Sequence, residues 1–82
     1  MEHNFKTKGV CASMIHFKLD DENKLHDVKF DGGCNGNLKA IGILVEDMPA
    51  EEVIKKLKGN ICGMKNTSCA DQLAIALEEA TA

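Results

Sequence analysis

The sequence predicts an α+β domain: an antiparallel β-hairpin of two or three strands, followed by three α-helices packed on one sheet face. Three observations lead there. Apolar and polar residues alternate through the first third of the chain, and apolar residues then recur at helical spacing after the pair Gly32-Gly33. Pro49 and Gly59 punctuate the helical part. Strands first and helices after is the order in which helices segregate to one face of an antiparallel sheet.

From Ser13 to Leu19, Ile15, Phe17 and Leu19 alternate with His16 and Lys18, the pattern of a half-buried strand. Asp20-Asp21-Glu22-Asn23-Lys24 is polar and turn-forming, and a second alternation follows with Val28 and Phe30 against Asp27 and Lys29. A short leading strand around Phe5 to Thr7 carries a weaker version of the same signal. Past Gly33, Leu38, Ile41, Val45 and Met48 recur at helical spacing, with Ile43 and Leu44 adding apolar surface. A helix apolar on several sides is expected in the core. Pro49 forbids its continuation and suits the first turn of the next helix. There Ala50, Val53, Ile54 and Leu57 give an i, i+3, i+4, i+7 stripe, and Gly59 marks a stop. Residues 60–67 form a loop, and the last helix opens at Thr67 or Ser68 and carries Leu73, Ala74, Ile75 and Leu77.

Size and charge restrict the function. A chain of 82 residues makes a single domain over 1–82, and domains this small bury only about 60% of their unfolded surface. Their cores leave little margin, which is where metals or disulfides are recruited. There is no Trp or Tyr and only three Phe, so few large interface anchors are present. The balance of 10 Lys+Arg against 13 Asp+Glu gives a net charge of −3 with no basic stripe, which argues against nucleic-acid binding. Apolar runs fall short of membrane-spanning length, and Met1-Glu2-His3-Asn4 shows no signal-peptide pattern. A cytoplasmic protein with no membrane partner is expected. In a reducing compartment cysteines serve as metal ligands or reactive thiols more often than as disulfides.

Four cysteines in so short a chain are its main chemical signal. Cys11 ends a glycine-containing segment before the first strand, and Cys34 lies in Gly32-Gly33-Cys34-Asn35-Gly36 between hairpin and helix. Cys62 is in the last loop, and Cys69 lies in Thr67-Ser68-Cys69-Ala70-Asp71 at the start of the final helix. All four fall at element ends and none inside an apolar stripe. Helix starts present unpaired N–H groups and partial positive charge, a setting that favours thiolate. The expectation is one shared site in which Cys11, Cys34, Cys62 and Cys69 bind a metal. Four thiolates suit structural zinc, and the same ligand set serves an iron–sulfur cluster. The bland alternative is four small hydrophobes in the core. A redox pair such as Cys62 with Cys69 is disfavoured because no Cys-x-x-Cys is present.

Other residues are weaker candidates. His3, His16 and His26 read as bystanders, with His16 on a sheet face. Asp71 is explained by the helix N-terminus, where a carboxylate offsets the dipole, and Asn35 and Asn37 are potential caps of the first helix. The glycines around Cys34 suggest a phosphate loop but lack its Lys-Ser/Thr ending. No catalytic residue is assigned.

These motifs resemble those of the small stand-alone TSCPD-domain proteins, named for a Thr-Ser-Cys-Pro-Asp motif. The resemblance runs from Thr7-Lys8-Gly9-Val10-Cys11 through Gly32-Gly33-Cys34-Asn35-Gly36-Asn37-Leu38-Lys39 and Leu57-Lys58-Gly59 to Cys62-Gly63 and Thr67-Ser68-Cys69, with Ala70 at the proline position. A similar module is appended to the C-terminus of B12-dependent, class II ribonucleoside-diphosphate reductases. The resemblance therefore implies a zinc-binding accessory or interaction module of the ribonucleotide-reductase system, serving DNA synthesis, with that reductase or another protein as partner. A chain of this length has no room for a radical-bearing barrel and a cobalamin site. A more distant similarity, in the order Cys11, hairpin, Gly33-Cys34, two helices, Cys69, helix, is to NifU-type (SUF-like) iron–sulfur scaffolds. It implies that fold and, as an alternative role, a cluster scaffold or carrier held by Cys11, Cys34 and Cys69. The aspartate expected after the first cysteine is replaced by Ala12-Ser13, and Cys62 has no counterpart.

Overall fold

The computed structural model of the chain describes residues 2–10, 12–33, 35–60 and 67–81. Its elements are β1 (Glu2–Lys6), β2 (Ala12–Leu19), β3 (Leu25–Gly32), α1 (Asn35–Leu44), α2 (Ala50–Leu57) and α3 (Cys69–Thr81). The strands form one antiparallel sheet in the order β1-β2-β3, so the predicted α+β arrangement holds. The weakly signalled leading strand is a full member of the sheet. No helix among the described residues is long and apolar enough to cross a membrane.

Strand alternation builds the core face. Phe5 pairs with Ile15, and Ile15 in turn with Phe30, while Leu19 pairs with Leu25. Ile15, Phe17, Leu19 and Leu25 are buried, and His3 stacks on Phe17 with ring centroids 5.1 Å apart. Leu25 and Val28 are an odd number of residues apart, so a regular strand would send them to opposite faces. An irregularity removes the conflict. Lys18 pairs with His26 and His16 with Lys29, so that Asp27 and Val28 together oppose Phe17, and Asp27 takes a φ of 54°. This extra residue is a β-bulge, and it returns Val28 and Phe30 to the core side, where both pack against the buried cluster.

The helices complete that cluster unequally. α3 contributes Leu73, Ala76 and Leu77, and α2 contributes Ala50 and Val53. α2 and α3 pack on each other, whereas α1 packs chiefly on β3. Pro49 precedes α2, whose first turn holds Glu51 and Glu52 and whose last turn holds Lys55 and Lys56, the charge order that complements the helix dipole. The expectation that α1 is buried on several sides is corrected. Leu38 and Val45 are buried, but Ile43 is 68% and Leu44 75% exposed, because α1 has a packed neighbour on one side only. Gly42 makes its contact with β3 close: a Cβ there would stand 2.9 Å from the Val28 carbonyl oxygen.

At the hairpin-turn end the α1–α2 connection is laced to the strands. Leu25 N–H donates to Met48 O, Asp47 N–H to Leu25 O and Ala50 N–H to Asn23 O, each at 2.8 Å. His26 reinforces this seam. Its Nε2 lies 2.8 Å from Asp20 Oδ2, and its Nδ1 lies 2.8 Å from Glu46 Oε2 and 3.2 Å from Asp47 Oδ1. Glu46 also accepts from Asp27 N–H at 2.9 Å, and Lys18 Nζ stands 3.6 Å from Asp27 on the same side. A bystander reading misses this structural role of His26.

The bond to Asp20, then that to Glu46, raises the His26 pKa above its ordinary value. The bond to His26, then that from Lys24 N–H, lowers Asp20 to about 2. Glu46 is lowered by the Asp27 N–H and then by His26. A raised folded-state pKa stabilises fully below the unfolded value, ~6.5 for histidine, and the contribution is lost as pH rises through the raised value. The lowered carboxylates stabilise above their unfolded values and lose that contribution as pH falls. Urea-denaturation midpoints of the wild type should therefore decline as pH rises above about 6.5, and His26→Gln should flatten that decline. Equal slopes in the two proteins would exclude the network as its source.

Candidate functional site

The start of α3 is assembled from the residues that surround Cys69. Ser68 is the N-cap: its Oγ accepts from Asp71 N–H at 3.0 Å, and its carbonyl accepts the first helical bond from Gln72 N–H at 2.8 Å. The Ser68 hydroxyl also donates to Asn60 O. The Asp71 carboxylate accepts from Gly59 N–H at 2.7 Å and from the Thr67 hydroxyl. Gln72 Nε2 donates to Thr67 Oγ1 at 3.0 Å, while its Oε1 accepts from Lys8 N–H at 3.1 Å. Ser68, Asp71 and Gln72 are all buried. The Thr67 bond, followed by the Gly59 N–H, holds Asp71 below the usual carboxylate range. Three separate stretches of chain, Lys8, Gly59–Asn60 and Thr67–Ser68, are thus tied to one helix turn. Cys69, the first residue of α3, is half-buried there with a free thiol.

Of the four expected ligands, only Cys69 lies among the described residues; Cys11, Cys34 and Cys62 lie outside them. Their described neighbours are nevertheless specific. Ala12, which follows Cys11, pairs with Gly32, and its carbonyl accepts from the Thr7 hydroxyl. Gly33, which precedes Cys34, has a φ of 82°, and a Cβ there would stand 3.2 Å from Ala12 N and 2.8 Å from Leu38 Cδ1. The Gly9 Cα carries no side chain where a Cβ would meet Thr67 Cγ2 at 3.7 Å. Asn60, two residues before Cys62, is bound by Ser68 next to Cys69. The flanks of all four cysteines therefore meet at the end of the sheet opposite the hairpin turn. As a donor set, four thiols suit a thiophilic metal.

Two described histidines are committed elsewhere. His26, Glu46 and Asp47 offer ligand atoms within 4.8 Å of one another, but both His26 nitrogens face carboxylates in the tie described above. His16, on the open sheet face as expected, bridges Asn4 Oδ1 and Asp31 Oδ2. Asn37, a potential cap, is an exposed third residue of α1. Ala70 is the second residue of α3 and is buried. Its N–H precedes the first intrahelical donor, so proline is compatible there and alanine preserves the helix.

Two substitutions test this construction. Asp71→Asn should lower unfolding free energy by about 1–3 kcal/mol in urea titration, the cost of weakening charge-assisted bonds at a buried carboxylate; an unchanged midpoint would remove Asp71 from the scaffold. Gly33→Ala should cost about 1–3 kcal/mol through its left-handed backbone, with further loss from the steric conflict with Ala12. Full wild-type stability would show that this passage is not constrained.

The family model for the TSCPD domain matches residues 1–81, essentially the whole chain. No curated protein and no solved structure matches it. Threonine, serine, cysteine and aspartate of the motif stand at Thr67, Ser68, Cys69 and Asp71, where three of them build the helix cap that presents the fourth. The chain belongs to the TSCPD-domain family.

Proposed function

We propose that this domain is a small metal-binding accessory or interaction module that holds one zinc ion through Cys11, Cys34, Cys62 and Cys69. One observation carries the reading: the residues flanking all four positions lie together at one end of the fold, through the contacts of Gly33 with Ala12, Gly9 with Thr67, and Ser68 with Asn60. When bound, a tetrathiolate zinc supplies folding energy and no open coordination position. The protein's own part is to fix the flanks. Ser68 caps the helix at Cys69, Asp71 anchors Gly59 ahead of Cys62, and Gly33, just ahead of Cys34, lies against the strand that follows Cys11. Nothing in this assembly requires catalysis by the domain itself. Family membership supports a role beside a B12-dependent ribonucleotide reductase, as a detached counterpart of that enzyme's C-terminal tail, with the reductase or another protein as partner.

Elemental analysis of protein purified without oxygen should give one zinc per chain, and Cys69→Ser should reduce that occupancy. A structural zinc contributes on the order of 10 kcal/mol, so a strong chelator should unfold the protein, followed by circular dichroism. Metal-free protein with an unchanged melting temperature would overturn the proposal. Iron with visible absorption would replace zinc by a cluster on the same sulfurs.

A further inference from the structure

Among the described strands, β1 and β3 are the edges of the sheet, and they are finished differently. β3 is bent by the bulge at Asp27 and backed by α1, which comes so near that a Cβ at Gly42 would stand 2.9 Å from Val28 O. Bulging and covering both close an edge to further pairing. β1 carries no bulge and no proline: its pairing with β2 runs without a shift from Glu2–Lys18 to Lys6–Met14. Such an edge is a template for one more strand.

One bond sets the phase of that template. Thr7 N–H donates to Ser13 O at 3.3 Å, so His3 and Phe5, which alternate with Thr7, occupy the hydrogen-bonded pairs with β2. The N–H and C=O groups of Glu2, Asn4 and Lys6 therefore point away from β2, along the edge. These three residues are exposed, with Asn4 on the open face beside His16. His3 and Phe5 are half-buried on the core face, His3 stacked on Phe17 and Phe5 against the buried cluster. The ion pairs of the described residues include neither Glu2 nor Lys6.

This strand is complementary to itself. A two-fold axis through Asn4, perpendicular to the sheet, pairs two copies of β1 antiparallel. Glu2 of each copy then opposes Lys6 of the other, Asn4 opposes Asn4, and His3 opposes Phe5. The edge N–H and C=O groups bond at the charge-matched positions, and the rings meet at the closer, non-bonded ones. A slip of two residues unmatches the charges, and a slip of one sends core side chains opposite open-face ones. Parallel pairing would line up like charges.

We infer that the β1 edge is the contact of a two-fold homodimer, in which two three-stranded sheets join into one continuous sheet through antiparallel β1 strands. Strands of five residues make an interface at the small end of the specific range, so association is weak and concentration-dependent. The inference rests on β1 and its register alone and is independent of the proposed metal site.

Sedimentation equilibrium of the intact chain over a rising concentration series should show the mass climbing from 8.9 kDa toward twice that value. Glu2→Lys and Lys6→Glu should each raise the dissociation constant about 5- to 10-fold, because each sets like charges at two symmetry-related contacts. An equimolar mixture of the two variants should recover association, since both cross-contacts are then of opposite charge. Hydrogen exchange of the wild type needs no substitution: the Asn4 and Lys6 amides, which face outward in the monomer, should slow as concentration rises. A monomer at every concentration, a dimer indifferent to both charge reversals, or Asn4 and Lys6 exchange that ignores concentration would overturn the inference. So would pairing of an unrelated peptide strand with β1 of a chain that stays monomeric.

Discussion

Each element of this domain runs the length of the fold and then reverses, and that alternation governs where its chemistry can lie. β1 and β2 meet where Lys6 pairs with Met14, β3 passes into α1 beside Ala12, and α2 returns to be bound by α3 at Gly59. These three connections share one end. The other two, Asp20–Lys24 and Glu46–Pro49, are bonded to each other at the opposite end. Strands of eight residues put roughly 25 Å between them. Cys69 and the described residues beside the other cysteines, Ala12, Gly33 and Asn60, belong to the first end and the histidine–carboxylate seam to the second. Neither group is scattered; each occupies one pole of the same up-and-down path.

Much of this was legible in the sequence because it rests on periodicity and punctuation. The alternation of Ile15, Phe17 and Leu19, the Pro49 and Gly59 boundaries and the cap at Ser68 each follow from local chemistry, and the structure has them. Other features depend on partners distant in the chain. The bulge at Asp27 was signalled only by the odd interval between Leu25 and Val28. His26 has the sequence of an ordinary strand residue, and its role appears only once Asp20 and Glu46 are folded against it. The exposure of Ile43 and Leu44 ran against composition, since an apolar helix is expected inside, and only the position of α1 at the sheet edge explains it. The meeting of Ala12 with Gly33 and of Gly59 and Asn60 with the start of α3 was the most accessible long-range feature: in an alternating sequence of elements, the first, third and fifth connections share an end.

A core this small explains why both poles carry polar anchors. Among the described residues the largest fully buried side chains are one phenylalanine, Phe17, and the aliphatics Ile15, Leu25, Leu73, Leu77 and Val53, which is modest apolar burial for ordering a whole chain. The seam at His26 and the cap at Asp71 therefore tie loops that the core does not reach. They act in different ways. The His26 groups are partly solvated, so their contribution varies with pH and salt. Asp71 and Gln72 are themselves buried and accept the backbone N–H groups of Gly59 and Lys8, so removing either releases that segment from the helix start.

That asymmetry bears on the motif itself. Thr67, Ser68 and Asp71 spend their polar atoms on the backbone at Gly59 and Asn60 and on one another, and Cys69 forms no disulfide among the described residues. A helix start built only to terminate a loop needs a cap, not a buried carboxylate reaching twelve residues back to Gly59. The reach makes sense if the segment between Gly59 and Thr67 must be held at a fixed span, and Cys62 lies within that segment. The cap and the anchor together fix Gly59 and Asn60 against the start of α3, the kind of support from surrounding residues that the proposed sulfur site would need.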